Sequence, residues 1–396
     1  MIIIHLSHRG TSPRTDRKGP TVIAYRMQDE SRDLADLLDP EQQYSFPMSN
    51  DDEKVRHGVS GCETLADLAA YIACHAIEAD MPVIVVIEGP ESEDVPVDAD
   101  HGEVLLLPVR AERIEDDEAF FGLVSDLVDM YWERGLDCAA LREIAAEREA
   151  WFAATERCYH LGHGPLPAQT EVFGALNELM GPDDIVINAA GSMPGDLQAL
   201  WRARTPVQYH VEYAFSCMGY EIPAGLGCKL ARPESEVVSI VGDGTYQMLP
   251  MELATVVQEN IKVIYVLLQN YGFCSIGSLS ESRGSQRFGT KYRQRGGGSH
   301  LEDAETVRGV DIAANAESWG LKVYRVSTIE EFKEAYARAH AGEEAAMIHI
   351  ETDLYGPNPP SSSWWDVAVS GVSRLESTQR AYERYLEDRR PQRHYL

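Results

Sequence analysis

The second half of the chain alternates short apolar runs with longer amphipathic ones. Strands are predicted at 185–189, 207–211, 237–241, 261–268, 321–326 and 346–351, each an aliphatic or β-branched run bounded by turn residues. Helices are predicted between them at 170–180, 197–204, 220–230, 248–260, 311–319 and 329–340, with a last one at 372–385. Strands alternating with helices imply an α/β fold with a doubly wound, mainly parallel sheet.

The first half is less regular. Residues 1–19 open apolar and turn polar and basic, the pattern of a strand followed by a loop. A strand at 21–25, a short helix at 31–38 and an acidic surface loop at 39–61 follow. Residues 62–79 set Leu65, Leu68, Ile72 and Ile77 on a common helical face, and 81–87 and 103–109 read as buried strands. Residues 112–159 are helical and charged, with a break near Gly135. The expected division is a smaller α/β region over 1–110, a helical connector over 111–165, and the doubly wound domain over 166–396.

Composition narrows the class. A chain of 396 residues can bury a large core, and its net charge of −29 argues against nucleic acid, whose phosphates need a basic face. No run of about 18 apolar residues and no basic-then-apolar leader is present, so a cytoplasmic protein with no membrane partner is the default expectation. Seven cysteines with no CxxC pair suggest reduced thiols rather than a disulfide frame. His5 with His8, and His160 with His163, are spaced as metal pairs are, but in polar, glycine-rich surroundings they read as solvated side chains. Arg283, Arg287, Lys291, Arg293 and Arg295 form a basic, glycine-hinged loop over 281–298, either a solvated face or a lid over an anionic ligand. Trp364-Trp365 reads as packing for the last helix.

The chemistry concentrates between Val237 and Gly272. Gly242-Asp243-Gly244 closes one predicted strand, and Asn270-Tyr271-Gly272 closes the next, with a predicted crossover helix between them. The two glycines are expected to permit unusual φ/ψ and a close phosphate approach. A strand–helix–strand crossover sets the carboxyl ends of neighbouring parallel strands side by side, so Asp243 and Asn270 should meet within a few ångströms. Such hard oxygen ligands, beside the backbone N–H groups of Gly244 and Thr245, suit a Mg²⁺ ion that shares phosphate oxygens.

This spacing resembles the diphosphate-binding motif of thiamine diphosphate enzymes. The resemblance implies thiamine diphosphate and Mg²⁺ as cofactors, with Asp243, Asn270 and the Gly272 carbonyl as metal ligands. Gln269 replaces the first of the family's paired asparagines, a position that does not bind metal there. From about residue 168 onward the chain resembles the C-terminal domain of the trihydroxycyclohexane-1,2-dione hydrolase family of inositol catabolism. The shared runs are Ala-Ala-Gly-Ser-Met-Pro-Gly-Asp-Leu, Glu-Tyr-Ala-Phe-Ser-Cys-Met-Gly-Tyr-Glu-Ile, the Gly-Asp-Gly stretch, Phe-Gly-Thr-Lys-Tyr-Arg and Ser-Trp-Trp-Asp-Val. Met218 alone reads as a core methionine before a helix; the resemblance makes it the wedge that bends the cofactor into its reactive shape. It likewise implies that the Ser216 carbonyl accepts from the aminopyrimidine, and that Gly191, Ser192, Gly242, Gly244 and Thr245 surround the diphosphate.

No match to the family's pyrimidine-binding domain, which supplies a glutamate to N1′ of the cofactor, is found in residues 1–165. The expectation is therefore a diphosphate-binding subunit that hydrolyses a C–C bond beside a carbonyl in a cyclic dione or related 2-oxo compound. A partner subunit would supply the pyrimidine-binding domain, in a hetero-oligomer such as two copies of each chain. The alternatives are a carboligase or lyase subunit of the acetolactate synthase kind, and a non-catalytic relic scaffold.

Overall fold

The computed structural model describes residues 20–45, 55–115, 117–212, 214–294, 309–357 and 366–391. The expected strand and loop of 1–19, His5, His8, Arg295 and Trp364-Trp365 lie outside the described residues. The chain divides into two compact units, 1–153 and 154–396.

In the second unit, six parallel strands are ordered Lys322–Val326, Ala346–Glu351, Ile264–Gln269, Val237–Gly242, Ile185–Asn188, Tyr209–Val211. The inner strands are buried along nearly their whole length because helices cover both faces of the sheet. Alternate residues serve two separate cores. Val238, Ile240, Ile264, Val266 and Leu268 pack with Phe173, Leu176, Leu197 and Phe332 on one face. Val237, Val241, Tyr265 and Leu267 pack with Ile222, Leu226, Leu253 and Ile312 on the other. Period-two alternation of strand side chains is what lets one strand feed two cores.

Three helix expectations are corrected here. The helix expected over 248–260 is the shorter Glu252–Gln258, with a separate short helix, Asp243–Met248, ahead of it. Pro250 sits between them; it has no N–H to donate, and its ring would collide with the preceding turn. The helix expected at 197–204 is instead Met193–Leu200, four residues earlier, because Pro194 in its first turn is preorganised for a helix start. The last helix likewise runs Glu376–Arg389 rather than 372–385.

The first unit is built differently. Its five-stranded sheet, ordered Glu103–Leu106, Val59–Cys62, Thr21–Asp29, Pro82–Pro90, Arg110–Arg113, is antiparallel throughout. The strands Val59–Cys62 and Arg110–Arg113 carry too few apolar residues to be read from sequence. On one face, helix Leu65–His75, capped by Thr64 on the Asp67 N–H, packs Leu68 and Ile72 with Ile84, Leu127 and Leu141. The opposite face buries Ala24, Val59, Val85, Ile87 and Leu106 with Leu37. Helices Glu118–Arg134 and Cys138–Tyr159 follow, parted at Gly135, whose φ of 66° fits a glycine helix stop.

Cys74 and Cys138 form a disulfide, with Cα atoms 5.8 Å apart, which corrects the expectation of reduced thiols throughout. The two cysteines are 64 residues apart, so only the packing of helix Leu65–His75 beside Cys138 brings them together. The other five are free thiols. Among the described residues no helix is long and apolar enough to cross a membrane.

Candidate active site

Two strand ends meet at the centre of the parallel sheet. Val237–Gly242 delivers Asp243 at the start of a helix, and Ile264–Gln269 delivers Asn270, Tyr271 and Gly272. The strands pair in register from Val238–Ile264 to Gly242–Leu268, so both chains leave the sheet side by side. As a result the Tyr271 N–H donates to Asp243 Oδ2 at 2.7 Å, and the Gly244 N–H donates to Asp243 Oδ1 at 2.7 Å. Asp243 is 2% exposed, and burial pushes its carboxyl up to about 6 against the pull of these amides. Beside it, the side-chain oxygen of Asn270 is buried and accepts no hydrogen bond.

The glycines here work by approach, not by unusual backbone, correcting the expectation for Gly242-Asp243-Gly244. Gly242 has φ −81°, and Gly244 lies in the first helical turn, yet a Cβ on Gly244 would stand 2.9 Å from the Phe273 ring. A Cβ on Gly272 would lie 2.5 Å from the Thr290 carbonyl oxygen. Left-handed backbone occurs elsewhere in the site, at Gly191 (φ 97°), Ser216 (φ 50°), Gly219 (φ 93°) and Tyr271 (φ 59°).

All ten residues singled out in the sequence line one cavity of about 230 Å³: Gly191, Ser192, Ser216, Met218, Gly242, Asp243, Gly244, Thr245, Asn270 and Gly272. Gln169, Met193 and Phe273 to Ile276 complete its wall. Gln269 does not line it; its side chain turns the other way, where His349 Nε2 meets its Oε1 at 2.7 Å in the protein interior. His160 and His163 each take a separate carboxylate partner. His160 lies 3.1 Å from Glu156, and His163 lies 2.8 Å from Asp353.

Three features were missed in the sequence. Glu221 is fully buried at the start of helix Glu221–Ala231, where it accepts from the Ala190 N–H at 3.1 Å and the Thr245 hydroxyl at 3.0 Å. The Thr245 hydroxyl in turn accepts from the Gly219 N–H at 2.7 Å. One carboxyl thus ties together the Ala190, Gly219 and Thr245 segments of the cavity, and burial raises its pKa. A glutamate within the run Met-Gly-Tyr-Glu-Ile-Pro was the available signal. Second, Gln169 reaches the cavity, accepting from the Ser192 hydroxyl at 3.2 Å and donating to Asp196, whose carboxyl burial raises to about 6.

Third, the basic loop packs behind the cavity wall, against the turn that carries Asn270 and Gly272. The Phe273 N–H donates to the Thr290 carbonyl and the Tyr292 N–H to the Tyr271 carbonyl, so this segment is laced to the 270–272 turn. Arg287 is buried, paired with Glu281 at 2.9 Å and set 4.5 Å above the Tyr355 ring, with Lys291 4.8 Å from the same ring. Arg287 and Lys291 thus pack on Tyr355 rather than standing free in solvent.

Comparison with known proteins agrees with this geometry. Residues 189–350 match the family described as thiamine pyrophosphate enzyme, C-terminal TPP binding domain. The chain is 35% identical over 302 residues to a 3D-(3,5/4)-trihydroxycyclohexane-1,2-dione hydrolase of Bacillus cereus (strain AH820), covering 70% of this chain and 46% of that protein. It is 37% identical over 277 residues to the enzyme of that name from Bacillus thuringiensis (strain Al Hakam), covering 64% and 43%. The chain spans about half the length of the curated relatives it matches. Among solved structures, a thiamine diphosphate-dependent 4-hydroxybenzoylformate decarboxylase of Rhodococcus jostii RHA1 aligns at 22% identity, with a TM-score of 0.41, over 48% of this chain and 34% of that one. Through residues 189–350 the chain is similar to the C-terminal TPP-binding domain of thiamine pyrophosphate enzymes.

Proposed function

We propose that this chain is the diphosphate-binding subunit of a thiamine diphosphate-dependent hydrolase that opens a C–C bond beside a carbonyl in a cyclic dione or related 2-oxo compound. The observation that carries the reading is the donor set at the two strand ends. A buried carboxylate, an unpartnered amide oxygen and the Gly272 turn face one cavity, an all-oxygen set suited to Mg²⁺. Asp243, Asn270 Oδ1 and the Gly272 carbonyl would hold the metal. The N–H groups of the Gly191-Ser192 turn would receive diphosphate oxygens, and Met218 would support the ring system that follows. Thiamine diphosphate, when bound, supplies an electron sink for the carbanion left by C–C cleavage. The hydrolytic outcome and the dione substrate follow from the similarity to the Bacillus hydrolases.

A second chain supplies the opposite wall. Asp243 is the only carboxylate among the described residues lining the cavity, and it is committed to the metal side, so a carboxyl for general acid–base work must come from elsewhere. The rim beside Met218 is exposed: Phe215 is 85% accessible and Ile276 58%. Large apolar side chains at the mouth of a catalytic cavity suit cover by a partner, which would also keep water from the reacting centre.

The test is to purify the chain alone, measure its mass in solution, and assay it with thiamine diphosphate and Mg²⁺ on cyclic diones and 2-oxo acids. The lone chain should be inactive, and co-expression with a pyrimidine-domain protein should restore turnover. Robust turnover by the lone chain would overturn the two-chain reading. Aldehyde-dependent ligation in the assembled enzyme, without hydrolysis, would favour the carboligase alternative.

A further inference from the structure

The first unit holds a second cluster of metal-ligating side chains, distant in sequence from the motif above. His75 is the last residue of helix Leu65–His75; Asp98 and His101 bracket the turn Ala99–His101. One ligand atom from each lies within 4.8 Å of the others, and His75 Nε2 stands 4.0 Å from Asp98 Oδ2. An independent observation points to a ligand there. His75 Nε2 and His101 Nδ1 are both shut off from solvent, and neither has a hydrogen-bond partner. Buried imidazole nitrogens are normally satisfied, and two unsatisfied ones in a cluster with one carboxylate have a common solution in a shared cation.

The surroundings hold the three side chains in place. Cys74, the neighbour of His75, is tied by its disulfide to Cys138. The His75 ring packs between those of Tyr71 and His101, at 4.4 and 5.4 Å. The turn is closed by the His101 N–H on the Asp98 carbonyl at 2.8 Å and by Gly102 at φ 89°. Arg142, paired with Asp67 at 2.8 Å, donates to the Asp100 carbonyl at 2.7 Å and clamps the same turn. The Tyr71 hydroxyl donates to Asp98 Oδ2 at 3.3 Å, the kind of outer contact that orients a ligating carboxylate.

We propose that His75, Asp98 and His101 bind one divalent transition-metal ion of the zinc type, leaving a fourth position open to water or another ligand. Two imidazoles and one carboxylate are a borderline-soft donor set, unlike the all-oxygen set proposed at Asp243, so the two sites should sort different metals. A tetrahedral zinc ion places its ligand atoms roughly 3.4 Å apart.

The test uses the tag-free full chain, stripped with chelator and held in excess Mg²⁺ to occupy oxygen sites. Titration with Zn²⁺ by calorimetry, and with Co²⁺ by visible absorption, should show one equivalent bound at micromolar affinity or better, with a tetrahedral Co²⁺ band. His101→Gln and His75→Ala should each weaken binding by about tenfold or more, while Asp243→Ala leaves it unchanged. His101→Gln keeps the side-chain bulk, and circular dichroism checks that each variant is folded. Absence of saturable binding, or an equivalent that survives in both folded histidine variants, would overturn the proposal.

Discussion

The two units solve the same packing problem in opposite ways. In the second, the strand Ile264–Gln269 is buried at every position and serves a core on each face. In the first, the strand Thr21–Asp29, also central in its sheet, fully buries only Ala24 and Gln28. A parallel sheet coated by helices stabilises itself by apolar burial alone. The thinner antiparallel unit adds a covalent tie, Cys74–Cys138. The two proposed sites follow the same division: oxygen donors at parallel strand ends in one unit, imidazoles beside a disulfide in the other.

Breaking the tie should separate the units most clearly. The disulfide closes a loop of 64 residues, and chain entropy assigns such a bridge about 4 kcal/mol. Cys74→Ser with Cys138→Ser, or added reductant, should lower one thermal transition by roughly that amount and leave a second in place. A single unshifted transition would show that the bridge contributes nothing.

The next effect belongs to the second unit and depends on pH. Asp243 holds its proton up to about 6, against 3.8 for an ordinary aspartate, so between those values the folded chain keeps a proton that the unfolded chain has lost. Stability contributed by this group is therefore present below pH 3.8, falls as pH rises towards 6, and stays low above it. Asp243→Asn removes the titration. Its stability relative to the parent should improve by about 2–3 kcal/mol between pH 4 and pH 7, measured by urea unfolding. A pH-independent difference would mean that Asp243 is ionised throughout.

Gly272→Ala tests close approach at the same site. The added Cβ would press on the Thr290 carbonyl, and the expected cost is about 2 kcal/mol, within the range for overpacking. An equal loss at Gly227, which has open space around it, would contradict the contact argument. Smallest is Met218→Ala. In the assembled enzyme it should lower kcat about tenfold, close to 1.4 kcal/mol, with cofactor affinity nearly unchanged. Equal turnover would return Met218 to a packing role.

The sequence was most legible where burial is two-sided. Ile264 to Leu268 is an unbroken apolar run, and the turn that ends it carries Asn270 and Gly272 of the cavity, so strand and site emerged together. It was least legible where tertiary contacts decide. Nothing local says that Thr290 lies on Gly272, that Arg287 is buried beneath Tyr355, or that Glu221 joins three loops. Cys74 and Cys138 meet only through helix packing, and Val59–Cys62 pairs through its backbone with little apolar signal of its own. Pro250, by contrast, was a local signal that should have moved the start of the predicted helix past it.

The central claim is that Asp243 and Asn270 hold a metal that anchors a diphosphate at the parallel strand ends. Calorimetric titration of thiamine diphosphate into the full chain, with and without Mg²⁺, tests it most directly beside folded Asp243→Ala. The account predicts a Mg²⁺-dependent binding heat in the parent that vanishes in the variant. Unchanged affinity in a variant that circular dichroism shows to be folded would contradict it.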